Sequence, residues 1–88
     1  MGNVTQRIND AATQAQKIVR DRKRGTVAVF HGTPGDYAED DRNKASFIAA
    51  VKKVVPPGTQ VSWKPQPAGN VGRTSISKYK GALFVRLP

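Results

Sequence analysis

Pro56, Pro57 and Gly58, near the middle of the chain, constrain its fold more than any other stretch. Proline lacks an amide hydrogen and restricts the residue before it, so no helix passes this point. A helix must end at about Val55. Upstream of the stop, Phe47, Ile48, Val51, Val54 and Val55 share one face of a 3.6-residue period, while Arg42, Lys44, Lys52 and Lys53 face away. The spacing predicts a core-facing helix over about Asp41 to Val55. Asp40, Asp41 or Asn43 suits its first-turn amides, and Lys52 with Lys53 suits the negative end of its dipole.

That helix follows a loop, His31 to Asp40, and a short apolar run, Thr26 to Phe30. Val27, Ala28, Val29 and Phe30 do not alternate with polar residues, so the run reads as a strand covered on both faces and central in a sheet. Before it, Val4, Ile8, Ala11, Ala15, Ile18 and Val19 recur at helical spacing, predicting a helix from residue 4 to about 23. Asn3 or Thr5 would cap it and Gly25 would end it. Its alanine-rich stripe suits close packing on a sheet, on a neighbouring helix or on a second copy.

After Gly58, Thr59 to Trp63 reads as a strand with Val61 and Trp63 on one face. Lys64 to Asn70, with two prolines and a glycine, reads as a loop. Thr74 to Tyr79 and Ala82 to Leu87 then read as a hairpin turning near Lys80 and Gly81, with Leu83, Val85 and Leu87 opposite Phe84 and Arg86. The expected fold is α+β: an N-terminal helix, then β-α-β-β-β, forming a mainly antiparallel four-stranded sheet with helices packed on one side.

The 88 residues, starting at Met1, read as one complete small basic domain. It divides into a basic N-terminal helix (1–25), a strand-loop-helix unit (26–58), and basic strands with a hairpin (59–88). With no cysteine, no apolar leader and no transmembrane run, the expected location is the cytoplasm. Met1 and Gly2 open like a myristoylation site, but Gln6 stands where Ser or Thr is needed.

A net charge of +9 directs the chain toward polyanions. The excess is not uniform. Residues 1–25 carry six basic side chains against two acids, residues 26–58 carry four of each, and residues 59–88 carry five basic side chains and no acid. The positive field therefore belongs to the two flanks. One candidate contact is the helix end, Arg20, Arg22, Lys23 and Arg24; the other is Lys64, Arg73, Lys78, Lys80 and Arg86 on the C-terminal strands. Trp63 and Tyr79 are interleaved with these cations, and such a mixture stacks bases while it tracks phosphates. Trp63 alternates in phase with Val61, as a core residue would, which favours Tyr79 as the contact.

Enzymatic chemistry finds little support. The loop His31-Gly32-Thr33-Pro34-Gly35 lies where phosphate loops occur, but it lacks the Lys and Ser/Thr of a P-loop and the glycine spacing of a dinucleotide site. Asp36, Glu39, Asp40 and Asp41 would also repel a phosphate there, and their spacing is not that of a calcium loop. No cofactor is implied. The expected function is a small nucleic-acid-binding protein gripping the phosphate backbone of DNA or RNA. An accessory or inhibitor protein docking on an acidic surface of a larger protein is the alternative. A metal-independent ribonuclease using His31 is the third reading. The first helix lacks the large apolar face of a membrane-surface helix, so no membrane partner is expected.

Overall fold

The computed structural model describes residues 3–68 and 77–88. In chain order the elements are α1 (Val4–Asp21), β1 (Thr26–His31), a single 3-10 turn (Pro34–Asp36), α2 (Tyr37–Arg42), α3 (Lys44–Lys52), β2 (Gln60–Trp63), β3 (Gln66–Pro67), β4 (Tyr79–Lys80) and β5 (Ala82–Arg86). The class is α+β, with an N-terminal helix and antiparallel sheets.

Helix α1 starts where Asn3 Oδ1 accepts the Gln6 amide at 2.8 Å, satisfying one of the orphan donors of a first turn. It ends before Gly25. Arg22 takes the left-handed conformation (φ 51°, ψ 46°). Its amide donates to the Val19 carbonyl at 3.1 Å while the Lys23 amide donates to Ile18 at 3.2 Å, the reverse pair that closes many helices. Ala11 and Ala15 are fully buried where α1 meets α3 and β1. The alanine stripe is thus used within the chain, its small side chains bringing the helix close to its neighbours.

The main sheet has three strands in the order β1-β5-β2, and β3 with β4 forms a separate two-stranded ribbon. The expected single four-stranded sheet is therefore corrected. So is the place of β1, which is an edge strand. Its unbroken apolar run reflects a bulge: the register passes from Ala28↔Phe84 to Phe30↔Leu83, leaving Val29 as an extra residue. Val27 and Phe30 pair with the core residues Val85 and Leu83, and Val29 is itself buried, so one face receives three apolar side chains in four positions. The centre of the sheet is β5, antiparallel to both neighbours, with Ala82, Leu83 and Val85 buried.

The helix expected over Asp41 to Val55 starts earlier and is broken in two. Asn43 (φ −107°, ψ 15°) separates α2 from α3, and its side-chain amide donates to the Glu39 carbonyl at 2.8 Å instead of capping α3. Asparagine competes with the backbone for such bonds, which makes it a break point. The core stripe stands: Phe47 and Val51 are buried, and Ile48, Val54 and Val55 pack around them. Phe47 lies against Phe30 and Trp63, with ring centroids 4.7 Å and 5.4 Å apart. Both long helices cover the face of the sheet that carries Leu83 and Val85.

The expected C-terminal hairpin is also corrected. Thr74 to Ile76 lie outside the described residues, and Tyr79 and Lys80 pair with Pro67 and Gln66, not with β5. Part of the expected loop from Lys64 to Asn70 is thereby strand. The redirection happens at Gly81, whose carbonyl accepts the Gly32 amide at 2.7 Å. A Cβ there would stand 2.5 Å from the Trp63 ring, so the close approach needs glycine.

Candidate nucleic-acid interface

The register of the sheet decides which cations meet. Thr26, Arg86 and Gln60 lie side by side at one end of the three strands. The segment from Arg22 to Gly25, which leads α1 into β1, passes the same end. A surface cavity of about 670 Å³ opens there, lined by Arg22, Lys23, Arg24 and Arg86 with Val19, Gly25, Pro56, Leu87 and Pro88. Ligand sites commonly fall in the range of roughly 300–1,000 Å³. Among the described residues the lining contains no Asp or Glu, and none of its four cations makes a salt bridge. Arg22, Lys23 and Arg24 of the expected helix-end contact thus line one cavity with Arg86 of the other expected contact.

Arg22 bears on this site through its backbone as well. A non-glycine residue in the left-handed region carries a cost of about 1–2 kcal/mol, which glycine would avoid. Gly25, three residues on, has φ 76°, so the chain places a glycine at the second left-handed turn but an arginine at the first. Arg20 lies elsewhere: its exposed side chain is 3.7 Å from Asp21 and does not line the cavity.

The other expected contacts gather at the opposite end of the sheet. The Lys64 amide donates to the Ala82 carbonyl at 2.9 Å, and Lys78, Tyr79 and Lys80 lie on or beside the β3–β4 ribbon. Along β5, four strand steps from Ala82 to Arg86 already separate the two ends by about 13 Å. These lysines therefore form a second patch, apart from Arg86, with which the sequence grouped them. Arg73 lies outside the described residues. Tyr79 is 48% exposed and its ring sits 6.1 Å from that of Tyr37. Burial raises the Tyr37 hydroxyl pKa, with Asp41 and Tyr79 adding to the effect. Trp63 is a core residue, as its alternation with Val61 suggested, and its Nε1 donates to Asp41 Oδ1 at 3.1 Å.

The acidic loop has a use that the sequence did not reveal. Arg7, on α1, donates from Nε to Asp40 Oδ1 at 2.9 Å and from Nη2 to Glu39 Oε1 at 2.6 Å; Nη2 also forms an ion pair with Asp40 Oδ1 at 2.9 Å, and Asp36 lies 3.7 Å from Nη1. One cation counted with the basic flank is thereby occupied inside the fold by three acids. Asp40 is fully buried, and burial raises its pKa against the opposing pull of Arg7. Burial also opposes the charge on Arg7, but hydrogen bonds to Glu39 and Asp40 outweigh it and its pKa is raised. Among the described residues, no group of three or more His, Asp or Glu side chains is placed to hold a metal ion.

His31 ends β1, opposite Ala82 and on the face away from the helices; its ring meets Phe84 edge-on, centroids 6.5 Å apart. Phe84 was seen in the sequence only as the neighbour of Arg86. The signal that marks it is alternation: Leu83 and Val85 face the core, so Phe84 cannot. No described helix is long and apolar enough to cross a membrane. Comparison with protein-family models, with curated proteins and with solved structures finds no match to this chain.

Proposed function

We propose that the chain binds nucleic acid through the phosphate backbone, and that the cavity at the end of α1 is the main contact. The observation that carries this reading is the convergence of Arg22, Lys23, Arg24 and Arg86 on one opening whose described lining has no acidic side chain. Four cations that make no salt bridge among the described residues, set around a concave surface, focus a positive field and release counterions when phosphates enter. Arginine adds a planar fork matched to phosphate oxygens, with Arg86 held on β5 and Arg22 and Arg24 on the segment between α1 and β1. Lys64, Lys78 and Lys80 would extend the contact along the strand direction.

The test compares two double charge reversals of equal size. Lys23→Glu with Arg24→Glu should abolish most binding to short RNA and DNA, whereas Arg42→Glu with Lys44→Glu, exposed on α2 and α3, should lower it only modestly. Equal losses would mean that net charge, not this cavity, governs association. An acidic protein surface would find the same four cations, so the same pair of variants is also run with polyglutamate as ligand.

A further inference from the structure

We infer that the partner is single-stranded nucleic acid and that its bases stack on Phe84, on the sheet face opposite the helices. The inference rests on the proposed phosphate site and names what lies beside it. Strand alternation puts Ala28, Phe84 and Ser62 in one cross-strand row and Thr26, Arg86 and Gln60 in the next, all on this face. The first row is half-buried and the second exposed, while Ala82, beyond Phe84, is fully buried. The open part of the face therefore runs from Phe84 toward Arg86, and Arg86 also lines the cavity. Phe84 is not among the residues packed on the core, although every other phenylalanine is.

A half-buried aromatic ring on the middle strand, edged by His31 and flanked by small or polar side chains, leaves part of its apolar surface open beside the exposed row that holds Arg86. The adjoining charge favours an occupant that carries phosphates next to exposed rings. A single strand has both; in a duplex the base faces are already stacked on one another. The phosphates would enter the cavity between Arg22, Arg24 and Arg86 while a neighbouring base covers Phe84.

The experiment measures fluorescence anisotropy of a labelled oligothymidine, an oligouridine and a short duplex with the wild type, Phe84→Leu and Phe84→Trp. Phe84→Leu keeps apolar volume but removes the π face. It should weaken single-strand binding about tenfold and leave duplex binding and the salt slope unchanged. Phe84→Trp should retain affinity, and its added fluorescence should be quenched by the oligomers. Single-strand binding equal to wild type in Phe84→Leu, or no quenching in Phe84→Trp, overturns the stacking site even if phosphate binding stands. Failure of the wild type to bind any of the three probes overturns both readings. Polyglutamate binding with the same dependence on Phe84 overturns the assignment to nucleic acid.

Discussion

Arg7 and Asp40 stand 33 positions apart in sequence, and a hydrogen bond from Arg7 Nε and an ion pair from its Nη2, both 2.9 Å from Asp40 Oδ1, tie the first turn of α1 to α2. The carboxylate is fully buried and the guanidinium side chain only 13% exposed. Breaking such a pair leaves a charge without water or partner. Arg7→Met should therefore destabilise the protein by about 3–5 kcal/mol in urea unfolding. Adding Asp40→Asn should recover part of that loss, and purely additive effects of the two changes would contradict the coupling.

The same pair sets a pH dependence. Asp40 is held above its ordinary carboxylate pKa, chiefly by burial, so the folded state binds its proton more tightly than the unfolded state. Its stabilising contribution is complete below the unfolded value and is lost as pH rises through the folded one. Wild-type stability measured relative to Asp40→Asn should accordingly decline across that interval. A difference that grows with pH would show that attraction to Arg7 exceeds the cost of burial.

These two residues also mark where the sequence was and was not readable. Local periodicity revealed both core-facing helices, because Ala11, Ala15, Phe47 and Val51 recur at helical spacing and are buried in the fold. It also revealed the cations, since charge needs no geometry to be counted. Arg7 read as one more member of a basic flank because its acids lie more than 28 positions away. Strand order failed for a similar reason: a one-residue bulge at Val29 imitates a strand buried on both faces. The sequence grouped Arg86 with the C-terminal lysines because only the register places it beside the end of α1.

Arg22 offers a trade between stability and binding. Arg22→Gly relieves the left-handed strain but gives the unfolded chain more freedom, for a net gain of about 0.5–1 kcal/mol. It also removes a cation from the cavity. Melting temperature should rise while affinity for nucleic acid falls severalfold; a rise in both would separate Arg22 from the binding site.

Gly81 should accept no side chain. The Cβ of Gly81→Ala would meet the Trp63 ring 2.5 Å away, and Trp63 is itself held by Phe30, Phe47 and Asp41. Overpacking of this kind costs about 1–3 kcal/mol. Urea unfolding would read the loss, and a shift in the emission of the single tryptophan would report the displaced ring. A variant as stable as wild type, with unchanged emission, would contradict the packing described for this corner.

The most direct test of the central claim is the salt dependence of binding to a short single strand, measured by anisotropy for the wild type and Arg86→Ala. Engagement of Arg22, Lys23, Arg24 and Arg86 should give a log–log slope of roughly −3, and loss of Arg86 should make it shallower by about 0.7. A slope near zero, an unchanged slope in Arg86→Ala, or no binding at low salt would contradict a phosphate grip at this cavity.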